Sequence, residues 1–497
     1  MLLPVVALLA AGAASVPAEP PLDQVALRSH MAYLADDALQ GRAPGTEGGN
    51  KAAAYIARQL QLAGVKPGGA DGSWYQPVGL VQRIPASFTQ SWVTKERSIA
   101  LDAAQSQFVS RDGTDAVRQG DVIFAGYGLD LPDIGYHDLA DVDVRGKIVL
   151  LLSGRPKAAP NAPGLEVRRR AIAQAGATAV IALSGQDDPW QLIRDQLGRG
   201  RTGPAEEAAA PIEGALSYPA WTRLLGESGV NLARLLRSAR EPGFKARALQ
   251  LKADIVATSS VRQYRSYNVI GRIAGQGVRD QAVMFMAHWD HLGVCRPEGV
   301  ADRICNGAVD NASGVAMMIE IARRLSHGPA TDRSLYFVST TAEEMGLLGA
   351  QALADHPPVP LDKIAAVLNL DTVAVAPAGE PIAVIGRGLT PLDPSIDRAA
   401  EMQGRKVDTS DAVNAFINRQ DGWVFIKAGI PAAMIGGAFA DPALLATFLA
   451  SDYHQPGDDL SHKIPFDGMA EDGAFHVVLA RMLADPTVFP VAPRKPR

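Results

Sequence analysis

The chain has 497 residues, 47% hydrophobic and 20% charged, with a formal net charge of −5. That length exceeds one ordinary core and implies two domains. The mild acidity excludes the basic footprint of a nucleic-acid partner, and no segment is long and apolar enough to predict a transmembrane helix.

The chain opens on an apolar run, Leu2 to Ala10, followed by the small residues Ala11 to Ser15. This pattern predicts a signal peptide over 1–20 and an exported protein, periplasmic or secreted, although no Lys or Arg precedes the run. No Cys follows it, which argues against a lipid anchor. A helical pattern covers Leu27 to Leu39. Next comes Gly41-Arg42-Ala43-Pro44-Gly45-Thr46, and then a helix from about Gly49 to Ala63, with apolar Ala53, Ile56, Ala57 and Leu60 on one face and Gly64 as its cap. Weak alternation between 75 and 110 predicts strands.

A separate module is expected from about Gly120. Its predicted parts are strands at Val122–Phe124, Ile148–Leu152 and Ala179–Leu183, a helix at Glu166–Ala175, and exposed loops over 184–215. Arg168, Arg169 and Arg170 read as a solvated helix face. The strand-and-helix rhythm resumes near Tyr267 to Gly271. The proline-rich end, from Pro490, reads as a loose tail. The expected division is therefore 1–20, a first catalytic part over 21–118, an inserted domain over 119–258 and the metal-site part over 259–497. Two cysteines, Cys295 and Cys305, stand close together in sequence. In an exported chain a disulfide is the first expectation, with two unpaired thiols as its alternative.

The chemistry gathers in the second half. His288 follows the strand-like run Val283 to Ala287, and Asp371 ends the run that begins at Val367. Glu343 and Glu344 follow another run, Leu335 to Val338. Asp310 precedes an apolar helical pattern, and His454 lies in Tyr453-His454-Gln455-Pro456. Each candidate ligand stands at a strand end or in the loop after it, where open α/β sheets collect their chemistry. Imidazoles and carboxylates without thiolates suit an open catalytic zinc site, with cobalt or manganese as possible substitutes. Asp310 is the best bridge between two ions. Asp290, two residues after His288, can hold the ring nitrogen that faces away from the metal. Of the adjacent pair Glu343 and Glu344, one can bind metal while the other carries a proton.

Taken together, these residues resemble the secreted co-catalytic zinc aminopeptidases, whose wider family includes glutamate carboxypeptidase and the inactive transferrin receptor. The resemblance covers about 25–75 and 265–480. It implies that His288 and Asp371 hold one zinc, that Glu344 and His454 hold the other, and that Asp310 is shared. It further implies Glu343 as general base, Asp290 as orienting residue and Tyr453 as an oxyanion donor. The run Gly41 to Thr46 is similar to the family's N-terminal signature. Residues near 120–255 are similar to its inserted protease-associated domain. The 22 positions from His288 to Asp310 exceed the usual family spacing and contain both cysteines.

The expected fold is α/β: a mixed, mostly parallel sheet flanked by helices, of zinc-exopeptidase type, with a smaller β-rich inserted domain. The expected function is a zinc-dependent aminopeptidase acting on peptides with a free N-terminus, using two Zn2+. A carboxypeptidase, a glutaminyl-cyclase-like enzyme and a receptor-like protein are the alternatives. The receptor-like reading predicts lost ligands, whereas this chain keeps all five and the base. His291 is read as a rim residue, and His137, His356 and His462 as surface or structural. Ser313 lacks the frame of a serine nucleophile.

Overall fold

The computed structural model describes residues 18–461 and 463–491. The expected signal peptide therefore falls almost wholly outside the described residues, as do His462 and the end of the tail. The chain divides into two compact units. One gathers the described residues up to Val78 and from Arg265 onward, and the other is Gly79–Tyr264.

The metal-site unit is built on four parallel strands with an antiparallel neighbour at either side. Ala432–Gly436, Ile364–Asn369, Ala282–His288 and Ser334–Thr340 lie side by side in that order, all parallel. Ala383–Ile385 pairs antiparallel outside the first, and Val269 to Ile273 outside the last. All four parallel strands are wholly buried, as expected of strands covered on both faces. Their register aligns the carboxyl ends: His288 sits opposite Thr340, and Met286 opposite Asn369. Chain order reverses at Ala282–His288, because the next strand in sequence lies on one side and the following one on the other. Such a switch point opens a crevice at the carboxyl edge.

The helices are placed by ordinary local chemistry. Asp23 caps Gln24–Leu34, accepting a 2.9 Å bond from the Val25 amide. Thr46 caps Glu47–Leu62 through the Gly49 amide at 3.1 Å. The helices Gly314–Ser326 and Phe466–Ala484 are buried along most of their length and share the main core with Phe285, Phe337 and Leu368. The first predicted helix ends at Leu34, short of Leu39, and a tight turn, Asp37–Arg42, follows it.

The Gly79–Tyr264 unit has its own core around Trp92, Phe108, Phe124 and Trp221. It starts at Gly79 rather than 119, because Leu80 to Arg83 pair with Arg201 to Pro204, and Ser106–Ser110 pairs with Ile212–Leu216. Ile148–Leu152 and Ala179–Leu183 are buried parallel neighbours, where the sequence predicts them. Two expectations fail. The segment 184–215 holds the helix Trp190–Gly198 and the strand Arg201–Pro204, so it is more than loops. Arg168 and Arg169 are buried, not solvated. The Arg168 guanidinium donates to the carbonyls of Tyr127, Leu152, Ser153 and Gly154. Strands make up more of the unit than its four helices among the described elements do.

Candidate metal centre

The loop from Trp289 to Gly307 borders the site, and a buried arginine ties it to the end of the first helix. Arg42 is fully buried. Its guanidinium donates to Leu34 O and Asn306 O, both at 2.5 Å, to Trp289 O at 2.8 Å and to Gly307 O at 2.9 Å. Burial pushes its pKa down to about 10, so it stays charged at neutral pH. The preceding Gly41 has φ +66°, and a Cβ there would fall 2.3 Å from Cys305 O. This explains the Gly-Arg pair in the opening signature. The glycine lets the turn press against the site loop, and the arginine satisfies that loop's carbonyls.

His288 ends its strand with the ring pointing into the crevice. Its Nε2 lies 3.2 Å from Asp310 Oδ1 and 3.6 Å from Asp371 Oδ1. Its Nδ1 faces the backbone carbonyl of Asp290 at 3.1 Å, while the Asp290 carboxylate is farther, at 3.8 Å. The carbonyl therefore orients the ring. The Asp290 carboxylate instead accepts the Glu343 amide at 3.1 Å. Burial pushes the Asp290 carboxyl up to about 7.

Asp310 reaches both sides of the site. Its Oδ1 faces His288, and its Oδ2 lies 3.3 Å from His454 Nε2. Its backbone is fixed by Asp458, whose carboxylate accepts the amides of Val309 at 2.7 Å and Asp310 at 3.0 Å. Asn311 links this loop to the Asp371 loop, donating to Leu370 O at 2.9 Å and accepting from the Thr372 amide at 3.3 Å.

The adjacent acids diverge. Glu344 Oε2 lies 3.0 Å from His454 Nε2. Glu343 instead lines the neighbouring pocket with Asp310 and Asp371. Burial holds the Glu343 carboxyl well above its ordinary range, and the charges of Asp421, Asp371 and Glu344 add to that. Burial alone would depress His454, but the adjacent Asp310 and Glu344 carboxylates raise it to about 10. Positive φ at Ala342, Thr372 and His454 marks backbone held in an unusual conformation around the site.

Donor spacing tests whether an ion fits. Donors arranged tetrahedrally around zinc at 2.0–2.2 Å stand roughly 3.3–3.6 Å apart. The separations of 3.6 Å from His288 to Asp371 and 3.3 Å from His454 to Asp310 match that spacing, and those of 3.2 Å from His288 to Asp310 and 3.0 Å from His454 to Glu344 fall slightly short of it. His454 Nε2, although buried, has no aligned hydrogen-bond partner among the described residues. His288, Asp310 and Asp371 form one compact donor group, and His291, Asp310 and Glu344 form a second. The residues therefore fit divalent metal.

All eight site residues expected from the sequence meet in this one crevice. Tyr453 stacks on His454 with ring centroids 3.8 Å apart, and its hydroxyl lies 3.5 Å from Arg419 Nη2. Beside the acids a small pocket is lined by Phe416, Met434, Phe439, Leu445 and Leu449, with Arg419 at its edge. The sequence reading missed this pocket, and it missed Asp458 and Asp421. It also put His291 on the rim, whereas that residue is 1% exposed and faces Glu344. The sequence His288-x-x-His291 was the one signal available. The Sγ atoms of Cys295 and Cys305 stand 2.06 Å apart in the hairpin of Gly293–Val294 and Ile304–Cys305.

Residues 268–475 match the family model described as Peptidase family M28. A probable lipoprotein aminopeptidase of Mycobacterium tuberculosis, LpqL, is 29% identical over 251 residues, covering 44% of this chain and 46% of that protein. The aminopeptidase YwaD of Bacillus subtilis is 26% identical over 224 residues, covering 45% and 38%. The matched segments thus span less than half the length of these curated relatives. The aminopeptidase from Aneurinibacillus sp. strain AM-1 aligns over 96% of this chain and 97% of its own, with a TM-score of 0.52 and 21% identity, a likeness of fold. Every candidate metal ligand lies within residues 268–475, the segment that is similar to Peptidase family M28.

Proposed function

We propose that this protein is a zinc-dependent aminopeptidase that releases N-terminal residues from peptides. The observation that carries the reading is the divergence of Glu343 from Glu344. One carboxylate joins the donor set while its neighbour stays beside it, facing the pocket. His288 and Asp371 would hold one ion, Glu344 and His454 the other, and Asp310 would serve both. Zinc so held supplies Lewis-acid polarisation of the scissile carbonyl and lowers the pKa of water.

The remaining work falls to side chains. Glu343 takes the proton from the attacking water and returns it to the leaving amine. Its buried setting favours the proton-carrying form, which suits that second step. Tyr453 lines the same pocket, and its hydroxyl would donate to the developing oxyanion. The Asp290 carboxylate, bonded to the Glu343 amide, fixes the base. Phe439, Leu445 and Met434 in the pocket wall favour a bulky apolar first side chain.

The Gly79–Tyr264 unit, read here as the protease-associated domain, contributes no catalytic group. The reading includes an exported chain, in which Cys295 and Cys305 are joined as a disulfide; their Sγ separation supports it. Among the described residues no helix is long and apolar enough to cross a membrane.

The test is hydrolysis by the zinc-loaded protein of leucyl, N-acetyl-leucyl and carboxyl-terminal reporter peptides. The expected result is release from the free-amine leucyl reporter alone, abolished by chelation and restored by zinc. Release from the carboxyl-terminal reporter alone would make it a carboxypeptidase. Cyclisation of glutaminyl peptides without hydrolysis would make it a cyclase.

A further inference from the structure

We propose that His291 is a ligand of the second metal position, alongside Glu344, His454 and Asp310. The inference rests on the two-metal reading and adds a donor to it. His291 is 1% exposed, and neither ring nitrogen has an aligned hydrogen-bond partner among the described residues. A buried imidazole left unpaired is costly, so its lone pair needs an occupant.

The surroundings say which occupant. Nδ1 lies 2.6 Å from Glu344 Oε1, yet the two atoms are not aligned as donor and acceptor. The pair is poorly aligned for a hydrogen bond, and a shared zinc would hold the two atoms roughly 3.3–3.6 Å apart, so the ring has to draw back by several tenths of an ångström as the ion enters. One donor atom each from His291, Asp310 and Glu344 lies within 4.8 Å of the others. Glu344 thus has an imidazole on each oxygen: His291 on Oε1 and His454 on Oε2. The two rings stand 5.7 Å apart, inclined at 66°.

The ring is also held in place. Gly307, at φ +60°, packs so closely that a Cβ there would fall 2.5 Å from His291 Cγ. A side chain at that position would collide with the ring and with Asp310 O.

The two positions then differ in kind. The first has one imidazole and two carboxylates, and the second has two imidazoles and two carboxylates. Imidazole favours zinc, whereas carboxylates also suit manganese and magnesium. The second position should therefore fill first with zinc and hold it, while the first exchanges.

Zinc titration of the full chain, stripped of metal and monitored by competition with a chelator, tests this. Wild type should show two binding events of unequal affinity. His291→Ala should weaken the tighter event beyond the roughly 10–100-fold typical of losing an outer hydrogen-bond partner, and spare the weaker one. His291→Phe keeps a ring of similar bulk and should lose the same affinity, which guards against misfolding of the smaller variant. His291→Gln can still donate a hydrogen bond to Glu344, so restored affinity there would reduce His291 to a positioning residue and overturn the proposal. Two events within threefold of wild type in His291→Phe would overturn it as well. Wild-type protein that binds fewer than two ions would refute the two-metal reading itself, before any variant is compared.

Discussion

Replacing Arg42 with lysine should loosen the metal centre although residue 42 makes none of its candidate ligand contacts. The guanidinium satisfies four buried carbonyls, those of Leu34, Trp289, Asn306 and Gly307. An ammonium group keeps the charge but cannot reproduce the planar fork, and from one stem it can reach about two of the four. Each lost charge-assisted bond and orphaned carbonyl costs roughly 1–3 kcal/mol, so Arg42→Lys should lose about 2–6 kcal/mol. That is a large share of the 5–15 kcal/mol typical of a folded domain. Trp289 adjoins His288, and Gly307 packs on His291, so the loss should reach the ions. Urea unfolding of the metal-free protein measures the first effect, and zinc content after desalting measures the second. A variant within about 0.5 kcal/mol of wild type, with full zinc content, would refute the clamp.

Other consequences follow from burial. His476 is fully buried, and burial pushes its pKa down to about 4 from 6.5. Below pH 6.5 the unfolded chain takes up a proton that the folded ring refuses, so stability is full above that pH and is lost as pH falls toward 4. At 1.36 kcal/mol per unit the loss is on the order of 3 kcal/mol, and His476→Gln should flatten the stability–pH curve across that window. An unchanged slope in the variant would show that another group is responsible. The apolar pocket predicts that a leucyl reporter exceeds a glutamyl one in kcat/KM by at least about tenfold, and that Phe439→Ala narrows the gap. Equal rates in the wild type would show that the first side chain lies elsewhere.

Much of the centre was legible because the fold repeats one device. His288 and Asp371 end or follow continuous apolar runs, and parallel packing brings those ends to one edge. The adjacent Glu343 and Glu344 carried their own signal, since neighbours in sequence need not point alike. What stayed illegible depends on distant pairing. Asp458 acts through the amides of Val309 and Asp310, nearly 150 positions away, and no local pattern marks it. His291 looked peripheral because its meaning lies in Glu344 and Gly307. Arg168 to Arg170 read as solvated because a run of like charge usually is. The turning of Arg168 onto the carbonyls of Tyr127, Leu152, Ser153 and Gly154 depends on segments that it meets only in the folded unit. The His288 ring illustrates a finer limit. Sequence placed an acceptor two residues on, but only the folded loop shows that the carbonyl, not the carboxylate, takes that place.

The account stands or falls on Glu343, and kcat measured together with metal content in Glu343→Gln tests it most directly. Glutamine keeps the size and the pocket contacts but cannot accept the proton. The variant should bind zinc as wild type does and lose on the order of 10²–10⁴ in kcat, as expected for removing a general base. Glu344→Gln, measured alongside, should shed metal. Full activity in Glu343→Gln, or loss of metal there with retention in Glu344→Gln, would contradict the assignment of base and ligand.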